Sequence, residues 1–164
     1  MDGILRKLPI GIQTFEKLRE GDYLYVDKTA LVWRIASTET PYFLSRPRRF
    51  GKSLLLSTFE AYFEGKKELF EGLAIADMEK EWKTYPVFHL DLNAEKYDSP
   101  QALVEILSRQ LTQWELKYGK GEDEETLSGR FAGVIRRACE QSGRGVVVLV
   151  DEYDKPLLQA LDDG

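Results

Sequence analysis

The 164-residue sequence has a single cysteine, Cys139, and a single histidine, His89. One thiol excludes an internal disulfide framework and fits a reducing compartment. A lone histidine without a neighbouring cysteine excludes the usual zinc-ligand spacings, so His89 reads as a core or surface residue of a strand and Cys139 as helix packing. No apolar run approaches the roughly 18 residues of a membrane span, and residues 1–10 lack the apolar stretch of a signal peptide. The expected location is cytoplasmic. Positive charge is not in excess either. There are 23 Lys+Arg against 28 Asp+Glu, a formal net charge of −5, so a chain-wide nucleic-acid surface is not indicated. What remains is ordinary for a folded domain: 43% hydrophobic and 31% charged residues exclude a disordered chain. The length fits about one domain.

Periodicity supplies the elements. Thr14 is placed to cap a short helix over 15–19 that breaks at Gly21, and 23–26 is apolar and aromatic enough for a short strand. Asp27 suits the N-cap of a helix carrying Leu31, Val32 and Ile35, which assigns neighbouring Tyr25 to the core rather than to a base-stacking role. A short apolar run over 41–44 leads through an arginine-rich loop into a helix over 52–63, with Leu55, Leu56, Phe59 and Phe63 at helical spacing and Gly65 as its stop. The stretch 71–85 is mixed and acidic, anchored by Trp82 and Tyr85. A second strand spans 87–92. Asp98 and Pro100 open a helix with Leu103, Leu107, Leu111, Trp114 and Tyr118 on one stripe. A charged turn follows, then a helix through Leu127, Phe131, Val134 and Ala138 that Gly143 and Gly145 end. The aliphatic run 146–150 suits a strand buried on both faces of a parallel sheet. Strands alternating with helices of this length mean an α/β fold.

The octet Arg46-Pro-Arg48-Arg49-Phe50-Gly51-Lys52-Ser53 matches the phosphate-binding pattern G-x-x-x-x-G-K-[ST], with Arg46 in place of the first glycine. Its placement between a strand and a helix is what the chemistry needs. Gly51 allows the tight turn that points amides at phosphate oxygens, and the helix start adds donors and the positive end of its dipole. Lys52 would reach the β- and γ-phosphates and the Ser53 hydroxyl would ligate Mg²⁺. Nearly a hundred residues later, the strand 146–150 ends in Asp151-Glu152. In this Walker B arrangement the first acid holds the metal, and the second polarises the attacking water. Either motif alone has a plain structural explanation. Together they point to a nucleoside triphosphate.

The run Arg46–Leu54, taken with Val148-Leu-Val-Asp-Glu-Tyr-Asp-Lys-Pro156, resembles the AAA-ATPase-like family. The stretches 8–13, 25–29 and 85–91 support the resemblance over nearly the whole chain. In that family an arginine-rich loop lacking the first glycine is usual. The resemblance implies a P-loop NTPase of three-layer α/β/α type with a mainly parallel sheet. Residues 1–164 would be its N-terminal part: a helical segment, 1–40, leading into the core, 41–164. It implies ATP and Mg²⁺ as cofactors and a phosphate site built from Arg48, Arg49, Phe50, Gly51, Lys52, Ser53 and Leu54. Ser53 and Asp151 would hold the metal, with Lys52 and Glu152 catalytic. The expected activity is ATP hydrolysis, weak in isolation, because an arginine finger worth about 10³–10⁵ in rate would come from elsewhere. The alternative is a nucleotide-regulated interaction module that binds ATP or ADP with little hydrolysis. A protein partner or a missing C-terminal domain is expected to couple to the site, and oligomerisation fits the same picture. Relatives often continue into a nuclease domain, an activity not carried over here. The sheet is expected to be truncated after the Walker B strand, because in this class a later strand separates it from the strand before the phosphate loop.

Overall fold

The structure, a computed structural model, describes residues 5–38, 40–42, 51–93 and 99–155. Its contacts divide into two units, Met1–Thr84 and Tyr85–Gly164.

The first unit contains α1 (Phe15–Glu20), α2 (Thr29–Ala36), α3 (Lys52–Phe63), a 3₁₀ turn at Lys67–Phe70 and α4 (Ala74–Met78). Helix α1 starts where expected, but the Thr14 side chain makes no capping bond. The Phe15 amide instead donates to Ser57 Oγ of α3 at 2.9 Å, so a tertiary contact satisfies a donor that the helix cannot. Phe15 and Leu18, one turn apart, are both buried. The Phe15 ring lies 4.8 Å from Phe70 and 5.4 Å from Tyr25, and Phe70 lies 5.2 Å from Trp82. This aromatic chain is the centre of the unit, each pair adding about 0.5–1.5 kcal/mol beyond simple burial. Trp82 is the anchor expected of it.

Asp27 does more than cap one helix. Its Oδ1 accepts from the Thr29 amide at 2.8 Å and the Thr29 hydroxyl at 2.6 Å. Its Oδ2 accepts from the Ala74 amide at 2.7 Å, while Thr29 Oγ1 accepts from the Ile75 amide at 3.1 Å. Burial pushes the Asp27 carboxyl up, but these hydrogen bonds together hold it below its ordinary value of 3.8. The starts of α2 and α4 are therefore tied to one another. The segment 23–26 is not a strand: a single bridge joins Tyr23 to Lys7, and Leu24 and Val26 stand 47% and 71% exposed. Its residue types favour β structure, but among the described residues no second strand lies beside it.

The second unit contains β1 (Val87–Asp91), α5 (Pro100–Tyr118), α6 (Leu127–Ser142) and β2 (Val147–Asp151). The two strands pair in parallel, Phe88 opposite Val148 and Asp91 opposite Asp151, with α5 and α6 as the crossover. This is an α/β arrangement. Pro100 occupies the first helical position of α5, where a missing N–H costs nothing, and Thr126 caps α6 by accepting from the Gly129 amide at 3.1 Å. Gly143, at φ 66°, ends α6 in the left-handed conformation that suits glycine. Phe88, Leu111, Val134 and Ala138 form the core, with the Trp114 ring stacked 4.6 Å from Phe88. Helices α5 and α6 are clamped by a buried ion pair. Arg130 Nε and Nη2 each reach a Glu115 carboxylate oxygen at 2.8 Å, and Arg130 Nη1 donates to Ser108 Oγ at 2.7 Å.

The 146–150 run is not buried on both faces. Val148 and Val150 are 43% and 39% exposed, while Leu149 and Asp151 are buried. Paired residues of a parallel ladder share a face, so these valines share theirs with the fully buried Phe88. The helices cover β1 on that side and leave the valines of β2 open. The expected strand over 41–44 lies for the most part outside the described residues, as do Asp98 and the segment following Lys155.

Candidate functional site

In the first unit the glycine–lysine–serine motif opens α3. Gly51 sits at the N-cap with φ 77°, a conformation that nearly every other residue resists, and its carbonyl accepts from the Leu55 amide at 3.0 Å to close the first turn. A side chain at position 51 would meet nothing within 4 Å, so backbone angle rather than crowding calls for glycine there. Lys52, Ser53 and Leu54 follow in the first turn, half-buried, at the end where the helix dipole favours anions. The helix start is fixed from behind. Ser57 and Thr58 hydroxyls donate to the Leu54 carbonyl at 2.8 and 2.7 Å, and Ser57 also receives the Phe15 amide. Neither residue stood out in the sequence. Arg46, Arg48, Arg49 and Phe50 lie outside the described residues.

Next to Gly51 is an apolar cavity of about 170 Å³, walled chiefly by Pro9, Leu24, Val26, Leu31 and Leu54. Tyr25, half-buried, lines it while its ring packs edge-on against Phe15. Desolvation raises the Tyr25 hydroxyl above its ordinary value of 10.0.

In the second unit β2 ends on Asp151, 6% exposed, and its Oδ1 accepts the Glu152 amide at 2.9 Å. Glu152 has φ 56°, left-handed for a residue with a Cβ. The register sets Asp91 beside Asp151, and the Leu92 amide donates to the Asp151 carbonyl at 3.0 Å. Asp91 Oδ1 accepts from the Asn93 amide, and Lys155 Nζ donates to Asn93 Oδ1. Ligands of α/β sheets bind at the carboxyl ends of strands, where these residues gather. Asp91, Asn93 and Lys155 were missed by sequence reasoning. The signal for Asp91 was present: an apolar run ending in an acid, the same pattern that marked Asp151.

The candidate residues thus form two groups, Gly51 to Leu54 in the first unit and Asp151 with Glu152 in the second. Among the described residues no cluster of three or more metal-ligating side chains forms, and no helix is long and apolar enough to cross a membrane.

A family model described as Predicted AAA-ATPase matches residues 9–164. The chain belongs to this family. A relative in Azotobacter chroococcum mcd 1, named "Uncharacterized protein in vnfD 5'region", is 45% identical over 157 residues, covering 95% of this chain. The chain spans only 30% of that relative's length. No solved structure matches. Family membership links the chain to ATP and nucleotide binding in general terms. In the AAA-ATPase-like chain Gly51 is left-handed at the start of a helix, and Asp151 and Glu152 stand at the carboxyl end of a parallel strand.

Proposed function

We propose that the chain binds ATP and hydrolyses it with Mg²⁺. The observation that carries this reading is the membership of the Predicted AAA-ATPase family across residues 9–164, with Gly51-Lys52-Ser53 at the start of α3. In this reading the amides of Arg48, Arg49, Phe50, Gly51 and Leu54 cradle the phosphates and Lys52 neutralises the β- and γ-oxygens. The Ser53 hydroxyl and the Asp151 carboxylate are hard oxygen donors of the kind that would hold Mg²⁺. Bound Mg²⁺ would offset the charge on the β- and γ-phosphate oxygens. Glu152 would accept a proton from the water that attacks the γ-phosphorus, as the bond to the β–γ bridging oxygen breaks and ADP leaves. The polypeptide beyond the 30% shared with the relative, or a separate protein partner, is proposed to couple to the nucleotide state.

Calorimetry with Mg-ATP tests the site. Lys52→Ala is expected to remove measurable ATP affinity, and unchanged affinity refutes the assignment. Tight binding without steady phosphate release would instead identify the nucleotide-regulated interaction module.

A further inference from the structure

We infer that Lys155 is a positioning residue: its side chain anchors the turn after β2 to the end of β1 and so fixes the direction in which Glu152 presents its carboxylate. This rests on the role proposed above for Glu152 as proton acceptor. The backbone of Glu152 needs an anchor. Its φ of 56° lies in the left-handed region, which a residue with a Cβ leaves unless its surroundings hold it there.

The hydrogen bonds around Glu152 form a closed path. The Lys155 amide donates to the Glu152 carbonyl at 3.2 Å, which shapes residues 152–155 into one turn. At the far end of the same residue, the Lys155 ammonium donates to Asn93 Oδ1. The Asn93 amide donates in turn to Asp91 Oδ1 at 2.9 Å, and Asp91 is the register partner of Asp151. Asp151 Oδ1 accepts the Glu152 amide at 2.9 Å, which completes the path. It leaves Glu152 through the carbonyl and returns through the amide, and every step lies within the second unit. The strand ladder, with the Leu92 amide on the Asp151 carbonyl, holds the ends of β1 and β2 together without Lys155. The lysine side chain is the step that crosses from the turn to β1. Its charge makes that step stronger than a bond between two neutral groups. With the Glu152 amide and carbonyl both held, the direction of its Cα–Cβ bond is set by the path around it.

Amide hydrogen exchange and phosphate release from Mg-ATP, measured on the same variants, test the anchor. Lys155→Met keeps the stem and removes the donor. It is expected to speed exchange of the Glu152 and Lys155 amides about tenfold, while the Leu92 amide of the ladder holds within about twofold. Phosphate release at saturating Mg-ATP is expected to fall about tenfold with KM within about twofold, inside the roughly 10²-fold that a misplacement of about 1 Å can cost. Lys155→Arg still offers N–H donors to Asn93 and should keep the parent rate within about threefold. Combined with Glu152→Gln, Lys155→Met should lower release no further than Glu152→Gln alone, because it acts through that carboxylate. Asn93→Ala, at an exposed position, removes the acceptor of the same bond and is read in the same way should Lys155→Met misfold. Unchanged exchange at Glu152, no rescue by arginine, a KM that rises as far as release falls, or an additive loss in the double variant overturns the inference. Phosphate release that Glu152→Gln leaves unchanged overturns the role proposed for Glu152 instead, and the exchange rates, which need no turnover, tell the two failures apart.

Discussion

The Glu152 amide donates to the carboxylate of the residue before it, Asp151, at 2.9 Å, while Glu152 holds a left-handed backbone at φ 56°. Such a conformation costs a residue with a Cβ about 1–3 kcal/mol and persists only where its surroundings impose it. Strain and function should therefore separate on substitution. Glu152→Gly is expected to raise the melting temperature and to lose phosphate release. Glu152→Gln keeps ATP binding and lowers release by at least about 10²-fold, the range of general-base catalysis. Thermal melts and a phosphate-release assay decide it. A Glu152→Gly variant that melts lower would show that the left-handed turn stores no strain.

Arg130 and Glu115 are both nearly buried and fully engaged with one another. Removing one partner strands the other charge without water. Arg130→Ala is expected to cost about 3–5 kcal/mol in urea unfolding, whereas Arg130→Met combined with Glu115→Leu recovers most of it. A single-variant cost in the range of an exposed pair, below about 1 kcal/mol, would mean that the clamp is replaceable by packing alone.

Gly133 sits inside α6, where alanine is normally better by about 1 kcal/mol. A Cβ there would stand 1.8 Å from Glu124 Oε1, and that carboxylate is held by Arg137 at 2.6 and 2.9 Å. Gly133→Ala is thus expected to destabilise, and Glu124→Ala in the same chain to restore alanine's usual advantage. Additive melting-temperature changes in the two variants would show that the positions are uncoupled.

Acid should expose the same carboxylates. Hydrogen bonds from Arg137 hold Glu124 down to about 2, and those from Arg130 lower Glu115 from its ordinary value of 4.5. A folded-state value below the unfolded one means that the unfolded chain binds protons more tightly. The stability these groups contribute is complete above about pH 4.5 and declines as pH falls towards about 2. Melting curves from neutral to acid pH should show this decline, and Glu124→Gln should flatten part of it. An unchanged slope would remove Glu124 from the acid response.

The long elements were legible because their residues repeat. Leu55 and Phe59 mark α3, Leu111 and Trp114 mark α5, Val134 and Ala138 mark α6, an unbroken aliphatic run marks β2, and Val87, Phe88 and Leu90 around His89 mark β1. Helix α4 and the 3₁₀ turn left no such trace. Their carbonyls and amides are met by residues about fifty positions away: Arg19 donates to Leu69 and Glu71, and Asp27 receives Ala74. Tyr23 to Val26 has the composition of a strand but, among the described residues, no sheet to join. At the candidate site, Gly51-Lys52-Ser53 and Asp151-Glu152 could be named because their spacing is local. Asp91 could not, since only the register between two strands sixty residues apart sets it beside Asp151.

Asp27 divides its two oxygens between the start of α2 and the start of α4, positions 47 residues apart in the case of Ala74. One side chain thereby closes a long loop, and the entropy of that closure is recovered only if both helix starts release it together. The amides of Thr29 and Ala74 then belong to a single opening event, and solvent deuterium would reach them at matched rates although the chain between them includes all of α3.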